Sequence, residues 1–121
     1  MITVCLRYDL DPYKVHEFER YARAYMPIVL RLGGMHHGVF LPEEGQGSSA
    51  YVLMTFPSLG AYEEYQLRSA RDPAARAADD DMREGGFVYG VTREFLKPVL
   101  PARDSRVSGG AGEKKVRENR K

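Results

Sequence analysis

Tryptophan is absent from this 121-residue chain and cysteine occurs once. No apolar run is long enough to cross a bilayer. Each gap closes off a class of protein. A single Cys5 forms neither an internal disulfide nor a cysteine-rich metal site. Met1 leads directly into Ile2-Thr3-Val4-Cys5, without the basic and apolar regions of a secretion signal. No membrane insertion is expected, and the expected setting is cytoplasmic. Charge of one sign is lacking too, since the formal net is +1. That small sum hides an asymmetry. Residues 98–121 carry seven basic and three acidic side chains, while residues 1–97 carry eleven and fourteen. The body is mildly acidic and the tail basic, which makes the folded part an unlikely nucleic-acid surface.

What the chain does have is aromatic and strand-forming residues. Eight Tyr, five Phe and a hydrophobic share of 43% suit one soluble domain with a modest core. Ile2 to Tyr8 reads as a first strand. Asp11 before Pro12 reads as a helix start, a carboxylate cap followed by a proline suited to the first turn. Val15, Phe18, Ala22, Tyr25, Met26 and Val29 then recur at helical spacing. Pro27 inside that pattern is expected to kink or shorten the helix, and Gly33-Gly34 to end it. A short strand, Met35 to Leu41, closes at Pro42. Ala50 to Phe56 is a third strand, Ser58 caps a second helix, and Asp72-Pro73 opens a third that Gly85-Gly86 stops. Phe87 to Leu96 is the last strand.

This β-α-β-β-α-(α)-β order is the split βαβ arrangement of ferredoxin-like α+β folds. It places the first and third strands centrally and the helices on one face. The third strand is apolar on both parities, Ala50, Val52, Met54 and Phe56 on one, Tyr51 and Leu53 on the other. Helices cover one face only, so the other is expected to meet a second copy of the sheet in a homodimer. The domain spans residues 1–98. Residues 99–121, rich in Gly, Ser and Lys/Arg, are expected to be a disordered basic tail that adds nothing to folding.

The chemistry-bearing stretch is Gly33-Gly-Met-His-His-Gly38. Successive strand residues point to opposite faces, so His36 and His37 cannot serve one ligand or clamp one metal. Either imidazole suits a general base or a hydrogen-bond donor in a pocket between sheet and helices. A hydrogen-bonded structural histidine is the plainer alternative. Tyr8, Tyr25 and Tyr51 are candidate pocket tyrosines, with Phe40 and Arg7 as further candidate ligand-binding residues. Strand arginines Arg7 and Arg93 are otherwise expected in salt bridges across the sheet or dimer. Asp79-Asp80-Asp81 fan around a helix and read as a solvated face, not a cation site. No metal site is expected.

Leu6-Arg-Tyr8, Asp11-Pro-Tyr-Lys14, Glu17-Phe-Glu19, Gly33-Gly-Met-His-His-Gly38, Phe40-Leu-Pro42, Phe56-Pro-Ser-Leu59 and Ala61-Tyr-Glu63 together resemble bacterial NIPSNAP-domain proteins, in the dimeric α/β-barrel superfamily. The resemblance implies a ferredoxin-like protomer paired through its sheets, and no settled reaction. Superfamily members include cofactor-independent monooxygenases, haem-degrading enzymes, peroxidases, isomerases and binding proteins. The haem-degrading variant fits least, because no Trp is present to stack on a macrocycle. Two readings stay open. One is a protein that binds a small hydrophobic or aromatic molecule, as a cofactor-independent oxygenase or isomerase. The other is a non-catalytic ligand-binding or interaction module.

Overall fold

The computed structural model describes residues 1–100, so most of the expected tail, residues 101–121, lies outside the described residues. The elements run β1 (Ile2–Leu10), α1 (Val15–Arg31), β2 (Met35–Phe40), β3 (Ser49–Phe56), α2 (Leu59–Ser69), α3 (Pro73–Gly85) and β4 (Val88–Leu96). The strands form one sheet in the order β2-β3-β1-β4, antiparallel throughout. This is the ferredoxin-like arrangement, with the first and third strands in the middle. None of the described helices is long and apolar enough to cross a membrane.

Parity sorts the sheet into two faces. Val4, Tyr8 and Leu10 of β1 and Ala50, Val52, Met54 and Phe56 of β3 are buried, and with Phe18, Val29, Tyr62 and Tyr65 from the helices they make one core. The other face is open. Register places Phe40, Tyr51, Arg7 and Thr92 in one row across it, and Met35, Thr55, Thr3 and Leu96 in another.

Local chemistry explains where most helices begin and end. Ser58 Oγ accepts from the Ala61 N–H at 3.0 Å and starts α2. Asp72 Oδ2 accepts from the Ala75 N–H at 3.0 Å, with Pro73 in the first turn of α3. Gly86 ends α3 at φ 64°, the left-handed conformation that glycine adopts without a Cβ penalty. Gly34 follows α1 for a different reason. A Cβ there would lie 2.7 Å from the Phe56 ring and 2.8 Å from Val29 Cγ1.

For α1, the cap expected at Asp11 is not formed, and of the two effects expected of Pro27 the shortening does not occur. Asp11 does not cap it: the carboxylate accepts from the Tyr13 N–H at 2.9 Å inside a separate turn, and the helix begins four residues later, at Val15, after an N-cap Lys14 without a side-chain cap. The Asp11 N–H donates to the Phe87 carbonyl at 3.0 Å, so this turn is stitched to the start of β4 rather than to the helix. Nor does Pro27 shorten α1, which continues to Arg31. Pro27 denies the Arg23 carbonyl its helical partner, yet Ile28 and Val29, both buried in the core, hold the next turn in place.

The antiparallel pair α1 and α3 is fastened at both ends. At one end Arg31 grips Asp72 through two bonds of 2.7 and 3.0 Å. At the other, Lys14 Nζ donates to the Gly85 carbonyl at 3.0 Å, a cation on the negative end of α3. These clamps set the roof over the buried sheet face.

Candidate functional site

Between the sheet and helices α1 and α2 lies a cavity of about 190 Å³. The sheet supplies Leu6, Tyr8, Val39, Val52 and Met54 as its floor, with His36 at one side. α1 contributes Phe18, Tyr21 and Tyr25, and α2 contributes Tyr62, Tyr65, Gln66 and Ser69. The aromatic rings form two linked walls. Tyr8, Phe18, Tyr21 and Tyr25 follow one another at centroid distances of 4.9, 5.9 and 5.5 Å. Opposite, Phe56 stands 5.2 Å from Tyr62 and 5.0 Å from Tyr65. Such spacings are those of favourable tilted and edge-to-face pairs.

His36 owes its geometry to an irregularity in β2. Pairing with β3 slips between His36 and Gly38, so that His36 faces Met54 and Gly38 faces Leu53, with His37 as the extra residue. Gly38 takes φ 131°, a conformation open to glycine, and its N–H donates to His36 Nδ1 at 3.0 Å. A neutral imidazole has one acceptor and one donor nitrogen. With Nδ1 accepting, the proton sits on Nε2, which has no partner among the described residues. Desolvation, and then the neighbouring His37, hold the His36 pKa below its ordinary value. The ring is therefore a neutral hydrogen-bond donor at the cavity wall.

The phenols are held neutral as well. Burial pushes Tyr8 up to about 12, against the easing effect of the Tyr21 hydroxyl. Burial raises Tyr21, Tyr25 and Tyr65 too. Tyr21 donates its hydroxyl to Asp79 Oδ1 at 3.3 Å, and desolvation raises the Asp79 pKa. Asp79 is thus half-buried behind the cavity wall, not part of a solvated triple. No Lys, Arg, Asp or Glu lines the cavity itself.

His37 lies on the other side of the sheet. Its Nε2 meets Thr55 Oγ1 at 2.7 Å, and Thr55 Oγ1 meets Thr3 Oγ1 at 2.7 Å, a polar chain on the open face. A shared site for both histidines is not formed. Tyr8 and Tyr25 line the cavity. Tyr51, Phe40 and Arg7 do not: the register brings the three together, but in a row on the open face, because their strand positions have the parity opposite to Tyr8, Val52 and Val39. Arg7 approaches only Asp9, at 3.7 Å on its own strand. Arg93, by contrast, meets no carboxylate among the described residues. Its guanidinium lies 4.8 Å from the Phe95 ring centroid and donates to the Tyr62 hydroxyl at 3.2 Å. Reading the sequence missed Tyr21, Tyr62, Tyr65, Gln66 and Ser69 as wall residues. A signal existed: Tyr21 and Tyr25 lie four apart on one helical face, as do Tyr62 and Gln66, and Tyr65 and Ser69.

The model of the NIPSNAP family matches residues 4–102. No protein of curated function matches the chain. Among solved structures, an uncharacterized NIPSNAP domain protein from Burkholderia xenovorans is 20% identical, covers 86% of this chain and 100% of its own, and superposes with a TM-score of 0.70. A NIPSNAP family protein of unknown function from Agrobacterium tumefaciens is also 20% identical, with 89% and 94% covered and a TM-score of 0.70. A candidate antibiotic biosynthesis monooxygenase from Nitrosomonas europaea shares the fold at 8% identity, with 83% and 100% covered and a TM-score of 0.64.

Proposed function

The chain belongs to the NIPSNAP family, and from that premise we propose that its tyrosine-lined cavity binds one small aromatic molecule, held by a hydrogen bond from His36. The observation that carries this reading is the Gly38 N–H to His36 Nδ1 bond, which fixes a donor at the wall of an uncharged chamber rich in aromatic rings. Size limits the ligand. An apolar cavity of about 150 Å³ takes benzene, so 190 Å³ suits one ring with a short substituent. Burial of such a ring among Tyr8, Phe18, Tyr62 and Tyr65 supplies the affinity, and His36 the orientation.

Binding is the function assigned, with chemistry second. The neutral His36 has its basic nitrogen engaged, and the raised phenols are poor bases at neutral pH. The reading as a cofactor-independent oxygenase or isomerase is favoured by the fold shared with the Nitrosomonas protein. It draws its proton acceptor from Asp79 by way of Tyr21. We further assign the open sheet face to a second copy of the chain, and place the protein in the cytoplasm, in keeping with its one free cysteine.

Ligand-observed NMR with a panel of one-ring aromatics tests the binding reading. Saturable binding by the wild type, lost in Ala22→Phe, which fills the cavity from α1, is the expected result. A folded wild type that binds none of the panel, or an Ala22→Phe variant that binds equally well, overturns it.

A further inference from the structure

The cavity's charge inventory says which aromatic molecules it admits. Among the described residues its walls hold no cation to meet an anion, and the nearby charges of Arg93, Asp79 and Asp72 stand outside. Arg93 lies behind the Tyr62 ring, with one guanidinium N–H already committed to the Tyr62 hydroxyl. Asp79 lies behind Tyr21 and accepts a hydrogen bond from its hydroxyl, so the carboxylate does not face the chamber directly. Other titratable groups near Asp79 are Arg83 and Asp80 on its own helix and Tyr8 and Tyr25 across from it. An anionic ligand entering here would lose its water and find only neutral donors, the His36 N–H among them, with no cation in the wall to balance its charge. A cationic ligand would meet aromatic faces and neutral oxygens but no carboxylate in the wall to pair it, and beside it the donor His36 Nε2–H. That same N–H seeks an acceptor and has nothing to accept with.

We propose that the cavity selects an uncharged aromatic carbonyl compound, by size a one-ring ketone or aldehyde, and turns away carboxylates and ammonium ions of the same shape. The ring lies between the Tyr8–Phe18 wall and the Tyr62–Tyr65 wall. The carbonyl oxygen accepts from His36 Nε2. This inference rests on the binding reading above and narrows it to one ligand class.

Four near-isosteric probes test it on the full chain at neutral pH by calorimetric titration: acetophenone, ethylbenzene, benzoate and benzylammonium. Acetophenone is expected to bind at one molecule per protomer and about tenfold tighter than ethylbenzene, the margin of one net hydrogen bond. Both ions are expected to bind at least about a hundredfold more weakly than acetophenone, the margin that an unpaired buried charge implies. His36→Leu should bring acetophenone down to the ethylbenzene level and leave ethylbenzene nearly unchanged. If that variant does not fold, the wild-type ratios decide alone. Benzoate or benzylammonium matching acetophenone overturns the selection for neutral ligands and leaves the binding reading standing. Equal affinity for acetophenone and ethylbenzene overturns the carbonyl contact. Failure of all four probes overturns this inference together with the binding reading.

Discussion

An imidazole that accepts a backbone N–H at Nδ1 has little use for a second proton, because protonation turns that acceptor into a donor facing a donor. His36 is in this position, and its pKa is lowered from 6.5 by desolvation and then by the neighbouring His37. The unfolded chain then takes up the proton first. The stability contributed by the neutral ring is complete above about pH 6.5 and declines as pH falls through that value toward the lower folded pKa. Thermal midpoints of wild type and His36→Leu, measured from pH 8 to pH 5, should therefore differ most at the alkaline end and converge on acidification. A wild type that gains stability relative to His36→Leu toward pH 5 would mean that His36 is stabilised as the cation and that its tautomer assignment is wrong.

Helix ends show how far local chemistry reaches. Asp72 combines a cap to Ala75 with a two-point grip by Arg31, and these together hold its carboxyl at about 2. The stability it contributes is present above the ordinary carboxylate value of 3.8 and is lost as pH falls through about 2. Asp72→Asn, which can still cap but not pair, should lower the melting temperature at pH 7 by an amount that vanishes as pH approaches 2. A difference independent of pH would locate the loss in the cap rather than the charge. Ser58, Asp72-Pro73 and Gly86 were legible in the sequence because each acts within four residues of itself. Asp11-Pro12 spells the same words and means something else, since its N–H is claimed by Phe87 from the far end of the chain. The same limit governs the site. Alternation in β2 told that His36 and His37 diverge, but not which one faces the helices. The face was readable only from β3, where Val52 and Met54 mark the core parity and leave Tyr51 outside. Asp79 was hidden in a run of three acids because its partner, Tyr21, sits on another helix.

For the whole molecule, the open face and the tail raise separate questions. Truncation after Pro101 should leave the melting temperature within about 2 °C of the full chain, since the core among the described residues draws its buried side chains from residues 4–87. A larger fall would mean that the tail docks. The open sheet face carries the larger prediction. Met35, Phe40, Tyr51 and Leu96 remain 42–55% exposed there, beside a partly covered Leu53. Apolar side chains gathered on one sheet face favour burial against another sheet. The Thr3–Thr55–His37 chain satisfies its own polar groups at that face, which removes a cost that pairing would otherwise carry. Two copies related by a twofold axis would bring the same rows together, as closed pairing requires. Sedimentation at micromolar concentration should show a dimer, and the melting temperature should rise with protein concentration. Tyr51→Lys puts a charge into the centre of that face without touching the core. It should yield a folded monomer whose melting temperature no longer depends on concentration. If it still saturates with the wild type's aromatic ligand, cavity and interface are independent devices. A wild type that sediments as a monomer would leave the open face without its second copy.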